Sequence, residues 1–309
     1  MAVFTKINEK DLFNIQNFYN IGKIISYRGI KEGIENTNYL ISTKRQKFIL
    51  TIFEKRVKKE DLPFFMKLMN ELSNLKIRCP SPLKSKKGNY LFNLKSKKAC
   101  LVSFLKGKDK QKLKKKDLYV IGKNIGKMHK ASRKIRLYRK NSFSPLKLKN
   151  LLDSINKNKI NKLSNDLFSE MQNTFMEIKQ GWPKTLPKNI IHGDLFIDNI
   201  FFHKGKFLGF IDFYFSSNDF EAYELATCIN ALCFNKRKKN FYYDKDKTLQ
   251  LIKGYETIRK LQKKEKDCLN ILCKGSALRY LATRSYDYIN TPKSAIIKKK
   301  DPREYIQKL

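Results

Sequence analysis

Residues 192–212 contain closely spaced side chains of the kinds that transfer protons and bind metal ions. His192-Gly193-Asp194 is followed by Asn199, and Asp212 comes thirteen residues after Asn199. A carboxylate such as that of Asp194 can accept the proton of an attacking hydroxyl or orient that hydroxyl. The amide oxygen of Asn199 and the carboxylate of Asp212 are ligands that a small hard cation prefers. The segment therefore predicts proton transfer from a hydroxyl beside a Mg²⁺ site.

The spacing around this segment predicts a β-hairpin. Two short apolar runs, Ile200–Phe202 and Phe207–Ile211, flank a polar stretch that contains Gly205. If the turn is centred near Gly205, Asn199 lies directly across from Asp212. Opposed residues of an antiparallel pair have Cβ atoms about 5 Å apart, so both side chains could bind one cation.

The pattern H-x-D-x-x-x-x-N followed by D-F-x is typical of protein-kinase-like phosphotransferases. In that signature Asp194 is the base or the residue that orients the hydroxyl, and Asn199 and Asp212 hold the Mg²⁺ that bridges the ATP phosphates. We group His192 with Asp194 as catalytic, and expect it to brace the loop by hydrogen bonds rather than to transfer a proton.

The charge balance raises the question of a nucleic-acid partner. The chain has 309 residues, enough for two modest domains, and a formal net charge of +39. Only 12 of its 67 basic residues are Arg, although nucleic-acid binders usually rely on Arg for bidentate contacts. Lys is scattered among abundant Asn, Ile, Phe and Tyr, which is typical of an A+T-rich genome. We therefore expect no specific nucleic-acid partner.

The cysteines and the apolar runs indicate a cytoplasmic protein. No pair of Cys forms a Cys-x-x-Cys motif, and only 3 His occur, so no zinc site is expected. A disulfide framework is not expected in a chain this long without a secretion signal. The first residues lack the apolar core of a signal peptide. The longest apolar runs, such as Ala99–Leu105, are too short to cross a bilayer. We expect no membrane association, and the sequence leaves the oligomeric state open.

The first hundred residues predict a sheet with one helix. Strands are expected at Lys23–Tyr27, Tyr39–Thr43, Phe48–Phe53 and Ala99–Leu105, and a helix at Leu62–Leu75 has Pro63 near its start. A charged stretch at 106–116 is a candidate hinge. The remaining chain predicts helices at about 117–131, 146–157, 163–179, 220–233, 247–260 and 265–288.

A loop with two glycines lies between the first two predicted strands. Gly29 and Gly33 could bring backbone N–H groups close to phosphates, although a plain hairpin loop has the same composition. Because the loop precedes the catalytic segment, we expect it to cover the phosphates of a nucleotide.

These segments together resemble the aminoglycoside-phosphotransferase-like branch of the kinase fold, and within it most closely the homoserine kinases. The first motif is G-x-x-N-x-x-Y at Gly33, Asn36 and Tyr39, and the second is the His-Gly-Asp loop. Further similar segments extend from about residue 27 to residue 305: Leu50–Glu54, Leu62–Phe65, Cys79–Pro82, Gly122–His129, Ile211–Phe215, Asn218–Asp219, Ala277–Tyr280 and Asp301–Tyr305.

The resemblance implies an α+β fold with two lobes. Residues 1–105 would form a small antiparallel, β-rich, nucleotide-binding lobe, and residues 106–309 a larger, mainly helical, catalytic and substrate lobe. It also implies ATP-dependent phosphorylation of the side-chain hydroxyl of L-homoserine to O-phospho-L-homoserine, a step toward threonine. Gly29, Gly33, Asn36 and Thr51 would then bind the nucleotide.

The chain departs from the kinase pattern at the ion pair of the first lobe. Protein kinases place a Lys on the third strand, paired with a Glu on the following helix. Here Thr51 stands at the Lys position, and Phe64 and Phe65 stand where the Glu is expected. Lys55 and Arg56 are nearby candidates for the cation that contacts the phosphates. Ile197 occupies a position where homoserine kinases tend to carry Arg.

An amino-acid substrate needs a cation for its carboxylate and an acceptor for its ammonium group. Tyr214 and Asp219 follow the predicted metal-binding Asp212 and are candidates for the substrate site. Arg279 is preferred over Arg284 for the carboxylate, because the two point about 140° apart on one helix and Arg279 has small neighbours.

Two alternatives remain open from the sequence. One is another hydroxyl kinase of the same branch, acting on choline, a sugar or an aminoglycoside. A choline site would need an aromatic cage, and an aminoglycoside site an acidic cleft, which 28 acidic residues against 67 basic ones disfavour. The other is a basic RNA-binding pseudokinase, which the intact Asp194, Asn199 and Asp212 argue against.

Overall fold

The computed structural model describes residues 4–30, 36–54, 57–291 and 300–309. These residues form two compact units. The first comprises described residues within 1–107 together with Leu208–Tyr214, and the second comprises described residues within 108–207, 215–295 and 299–309. The boundary predicted between residues 105 and 106 remains a proposal.

A five-stranded antiparallel sheet dominates the first unit, with strand order β1-β2-β3-β5-β4. Two helices accompany the sheet. The elements in chain order are α1 (Glu9–Tyr19), β1 (Ile24–Gly29), β2 (Thr37–Thr43), β3 (Lys47–Ile52), α2 (Leu62–Asn74), β4 (Leu91–Leu94) and β5 (Lys97–Ser103).

The local sequence accounts for these elements. Every second residue of β2 is buried, because successive side chains of a strand point to opposite faces. Tyr39 and Ile41 thereby join the core beneath the sheet. Pro63 lies in the first turn of α2, where a missing N–H costs no helical hydrogen bond. The four predicted strands and the helix at Leu62–Leu75 are confirmed within a few residues, whereas α1 and β4 were not predicted.

After residue 107 the chain is mainly helical, as predicted. The helices are α3 (Lys115–Ser132), α4 (Lys149–Asp153), α5 (Lys157–Ile160), α6 (Leu167–Gly181), α7 (Glu221–Leu232), α8 (Lys245–Glu256), α9 (Lys263–Asp267), α10 (Leu269–Asn290) and α11 (Arg303–Ile306). The strands form antiparallel pairs β6 (Lys188–Ile191) with β9 (Ser217–Phe220) and β10 (Phe234–Arg237) with β11 (Asn240–Tyr243), and β7 (Ile200–His203) pairs with β8 (Lys206–Phe210).

The core of this helical part is built around α10. Leu278 and Leu281 of α10 are fully buried and belong to one cluster with Met171 and Phe175 of α6. The single helix predicted over 146–157 is wrong: a short 3-10 turn, α4 and α5 occupy that region. Helix α4 ends at Asp153, and the Asn156 side chain caps the start of α5 by accepting the Lys159 backbone N–H at 3.0 Å, which breaks the region into two helices.

Helices α3 and α8 pack with their backbones in contact. A Cβ atom at Gly122 would lie 1.9 Å from the carbonyl oxygen of Leu251 in α8. Close packing of the two helices therefore requires a residue without a Cβ atom at position 122. No helix in the described part of the chain is long and apolar enough to cross a membrane.

Candidate functional site

The His-Gly-Asp segment follows directly after strand β6 in the second unit. Gly193 has a φ of +80°, and a Cβ atom there would lie 3.0 Å from the carbonyl oxygen of Phe215. A side chain at this position would be both strained and crowded. The glycine therefore permits the turn that places Asp194 beyond the end of the strand.

Both oxygens of the Asp194 carboxylate are held by hydrogen bonds. The Asn199 amide Nδ2 donates to the backbone oxygen of Asp194 at 2.8 Å and to its Oδ2 at 3.2 Å. The Tyr280 hydroxyl lies 3.0 Å from Asp194 Oδ1. Each carboxylate oxygen offers two lone pairs, so the carboxylate can still accept a substrate hydroxyl. This is the geometry that a base or an orienting group requires.

The His192 ring supports the same loop. Its Nδ1 accepts the backbone N–H of Asp194 at 3.3 Å, and the residue is 1% exposed. This contact agrees with the expected bracing role, while a catalytic function for His192 stays a prediction.

Glu224 of α7 binds the backbone of the His-Gly-Asp loop, and the sequence did not predict this contact. Its carboxylate accepts the backbone N–H of His192 and, at 3.0 Å, that of Gly193. His129 Nε2 lies 3.7 Å from the same carboxylate, and both side chains are fully buried. Burial alone would raise the pKa of Glu224, but the nearby His129 and His192 outweigh it and hold the pKa below its usual value. A Glu within the apolar helix α7 was the available signal.

The predicted metal ligands lie in different units. Asn199 ends a 3-10 turn in the second unit, and because its amide nitrogen bonds Asp194, its amide oxygen remains the atom that can bind a cation. Asp212, in the first unit, has a φ of +64° and is exposed. The pairing of the two residues stays a prediction. β7 and β8 do pair, so the hairpin itself is confirmed.

The donor types fit Mg²⁺ bound together with phosphates. Within the described ranges, no group of three or more His, Cys, Asp and Glu side chains could hold a metal by itself. Mg²⁺ is usually held by one or two carboxylates, water and substrate phosphates rather than by a cage of protein ligands. A carboxylate and an amide oxygen, the donor types predicted at Asp212 and Asn199, are among the ligands that such binding uses.

The candidate nucleotide-binding residues belong to the first unit. Gly29 ends β1, whereas Gly33, Lys55 and Arg56 lie outside the described residues. Asn36 Oδ1 accepts the Glu54 N–H at 3.4 Å. Thr51, 3% exposed, donates its hydroxyl proton to Asn38 Oδ1 at 2.8 Å. Both contacts stabilise the strand pair, and nucleotide binding by these residues stays a prediction.

An ion pair between Lys97 and Glu54 joins β5 to the end of β3. Thr5 and Thr37 each donate to Glu54 Oε1 at 2.7 Å. Burial raises the pKa of Glu54, but the bonds from Lys97 and the two Thr residues outweigh it, so the pKa is lowered. Phe65 of α2 is fully buried at the position where a kinase Glu was sought. The sequence did not predict this pair.

Tyr214 packs within the first unit. Its ring makes edge contacts with Phe53 and Phe65, at 5.0 and 5.8 Å between centroids, and its hydroxyl lies 3.9 Å from Cys100 Sγ. Burial, and then the neighbouring Cys100, raise the pKa of Tyr214 well above its usual value, so the hydroxyl stays protonated. Its predicted contact with substrate remains untested.

Asp219 and Arg279 lie in the second unit. Asp219 accepts the Asn141 amide at 2.7 Å and the backbone N–H of Phe220 at 2.8 Å. Burial raises the pKa of Asp219, and these two bonds offset part of that effect. Arg279 donates from Nη1 to the Gly193 carbonyl at 2.8 Å, so it contacts the catalytic loop.

Arg279 and Arg284 differ in the groups that they contact. Arg284 pairs with Glu304 at 2.7 Å and lies over the Tyr305 ring at 4.6 Å. Arg279 instead lies against the rings of Tyr280, Phe143 and Phe215, beside the loop. Of the two, Arg279 is therefore the one at the catalytic loop, although its binding of a carboxylate stays a prediction.

The chain is similar in sequence to known kinases over its full length. The model of the phosphotransferase enzyme family matches residues 26–260. A homoserine kinase of Agrobacterium fabrum is 41% identical over 309 residues, with 100% of this chain and 95% of that protein covered. A homoserine kinase of Chelativorans sp. is 39% identical, with coverage of 100% and 95%. The chain belongs to the homoserine kinase family of phosphotransferase enzymes.

Solved structures support the fold. A spectinomycin phosphotransferase in complex with ADP and spectinomycin has a TM-score of 0.73 at 14% identity, covering 98% of this chain and 94% of that one. An amicoumacin kinase in complex with AMP-PNP and Ca²⁺ has a TM-score of 0.74 at 13% identity, covering 97% and 91%. These structures confirm the predicted α+β, protein-kinase-like fold. The predicted ATP-dependent kinase activity is confirmed by the family model and the homoserine kinase relatives.

Proposed function

We propose that the protein transfers the γ-phosphoryl group of ATP, with Mg²⁺, to the side-chain hydroxyl of L-homoserine and forms O-phospho-L-homoserine. The choice of L-homoserine as the substrate rests on the similarity to homoserine kinases across the whole chain, at about 40% identity. The assignment of phosphoryl transfer to this site rests on the Asp194 carboxylate, which Asn199 and Tyr280 hold at the end of β6.

Asp194 acts on the substrate hydroxyl. A remaining lone pair of its carboxylate accepts the hydroxyl hydrogen, which points an oxygen lone pair toward the γ-phosphorus. As the new phosphorus–oxygen bond forms, the bond between the γ-phosphorus and the bridging oxygen of ATP breaks and ADP leaves, while the hydroxyl proton passes to the Asp194 carboxylate. Phosphoryl transfer needs little covalent help, so alignment supplies much of the rate.

Asn199 and Asp212 would hold Mg²⁺ through their side-chain oxygens. The ion would neutralise charge on the ATP phosphates as it builds up in the transition state. Gly29 and Gly33 would lie over those phosphates, with Asn36 and Thr51 completing the nucleotide site.

Arg279 would bind the substrate carboxylate. Arg279 is 4% exposed. Burial alone would lower the pKa of its guanidinium, but the neighbouring Tyr280, Tyr223 and Asp194 outweigh burial and raise that pKa, so the group stays charged. Asp219 would accept a hydrogen bond from the substrate ammonium group, and Tyr214 would line the site.

A cytoplasmic location and the absence of nucleic-acid and membrane partners remain part of the proposal.

A coupled ATPase assay over a panel of acceptors tests the substrate. The panel contains L-homoserine, homoserinol, choline, ethanolamine and spectinomycin, and mass spectrometry identifies the product. We expect the highest kcat/KM for L-homoserine. The Asp194→Asn variant, purified in the same way, is the control, because any activity that it retains measures contaminating kinases. A clear preference for choline or spectinomycin would overturn the substrate and leave the kinase chemistry intact.

A further inference from the structure

Tyr280 places a hydroxyl group directly at the catalytic carboxylate. It lies on α10, is 7% exposed, and its oxygen is 3.0 Å from Asp194 Oδ1 and 3.1 Å from the Gly193 carbonyl oxygen. The ring does pack, but its polar end reaches the catalytic loop.

The Tyr280 ring is fixed on both sides. It makes an edge contact with Phe196, at 4.8 Å between centroids, and a tilted contact with Tyr305 at 5.3 Å. A buried aromatic side chain has two rotatable bonds, and these contacts restrain both. The position of the hydroxyl is therefore set by the core of the second unit rather than by the loop.

One proton must serve two nearby acceptors, because a phenol carries a single O–H donor. The Gly193 carbonyl already receives Arg279 Nη1 at 2.8 Å. A carboxylate is the stronger acceptor of the two, since its bond is assisted by charge. Burial raises the pKa of Tyr280 well above its usual value, so the proton is retained for donation.

Asn199 and Tyr280 each bind a different oxygen of the Asp194 carboxylate. Asn199 donates to Asp194 Oδ2 at 3.2 Å, and Tyr280 donates to Oδ1. With both oxygens tied, the plane of the carboxylate cannot rotate freely. Without Tyr280, only Oδ2 would be held, and the carboxylate could turn about its last side-chain bond away from the hydroxyl.

We propose that Tyr280 is a positioning residue for phosphoryl transfer, whose hydroxyl fixes the orientation of the Asp194 carboxylate toward the acceptor hydroxyl. This rests on the proposed role of Asp194 but not on the identity of the acceptor. Tyr280 touches neither ATP nor the acceptor in this account. Its removal should therefore lower kcat and leave both KM values nearly unchanged.

The test compares Tyr280→Phe with Tyr305→Phe. Tyr305 is fully buried, and within the part of the chain that the structure describes its hydroxyl has no hydrogen-bond partner. We expect kcat of Tyr280→Phe to fall about tenfold, the low end for losing a hydrogen bond to a charged group. The KM values for ATP and acceptor should stay within about twofold of wild type. Tyr305→Phe should keep native kcat.

A second pair of variants separates positioning from general support of the fold. In an Asp194→Ala background, adding Tyr280→Phe should change the residual turnover by less than about twofold, because Tyr280 acts only through that carboxylate. Melting temperatures of all variants show whether each is folded.

The measurement uses whichever panel acceptor gives the highest turnover, so a wrong substrate does not affect it. Native kcat in folded Tyr280→Phe, or an equal tenfold loss in the Asp194→Ala background, would overturn the role of Tyr280 while leaving the proposed function in place.

Discussion

Replacing Glu224 with Gln should misplace the catalytic loop. The Glu224 carboxylate accepts backbone N–H groups from His192 and Gly193, and His129 lies 3.7 Å away. Gln has nearly the same shape but replaces one acceptor oxygen with a donor. One N–H of the loop would then face another N–H group, and the other would lose a charged acceptor.

The size of the effect follows from these bonds. A hydrogen bond to a charged group contributes roughly 1.5–3 kcal/mol, and a buried donor left without an acceptor costs about 1–3 kcal/mol. Glu224 is fully buried, so solvent does not screen the change. We expect the free energy of unfolding to fall by about 2–4 kcal/mol. Displacing Asp194 by about 1 Å should lower kcat about a hundredfold.

Glu221→Gln is the matched control. Glu221 is also fully buried on α7, but it binds Arg133, Arg259 and Asn189 rather than the catalytic loop. Its replacement should lower stability in urea unfolding by a similar amount and change kcat far less. The argument fails if Glu224→Gln turns over at the native rate, or if both variants lose kcat equally.

The same variant carries a pH dependence. The pKa of Glu224 is lowered in the folded state from its usual value of 4.5, so folding favours the charged form. The stabilisation is complete above about pH 4.5 and is lost as pH falls through the lower folded-state pKa. Below pH 4.5 the unfolding free energy of wild type should therefore fall more steeply than that of Glu224→Gln. Parallel slopes would contradict the assignment of this carboxylate.

Four further outcomes are expected at the site. Asp194→Asn should lower kcat at least about a hundredfold with ATP affinity little changed, and near-native turnover would remove Asp194 from the mechanism. In a complex with an ATP analogue and Mg²⁺, side-chain oxygens of Asn199 and Asp212 should lie about 2.0–2.1 Å from the metal; either side chain turned away would refute the pairing. Arg279→Ala should raise the KM for homoserine more than that for ATP, with a loss of kcat because Arg279 also binds the loop. Homoserinol, which lacks the carboxylate, should be a poor substrate of the wild type, and equal kcat/KM for both would exclude the clamp.

The spacing of apolar residues predicted the helices and strands that bury a single face. Strand β2 alternates between buried and less buried residues, and α2 buries one apolar face that includes Phe65 and Met69. Helix α1 was missed because its apolar residues are interrupted by Asn and Lys, and its capping box of Asn8 and Asp11 was overlooked. The β6–β9 pair was missed because its strands are short and distant in sequence.

The residue types and spacing of the catalytic loop are enough to predict its chemistry. Asp194 and Asn199 are five residues apart, so a tight turn at Gly193 and one 3-10 turn suffice to bring their side chains together. Motif spacing can record such local geometry. The residues that orient the carboxylate, in contrast, are brought to it only by tertiary packing. Glu224 and Tyr280 reach the loop from 31 and 86 residues away. Their contacts depend on how α7 and α10 pack in the core, which buries apolar area without regard to sequence distance.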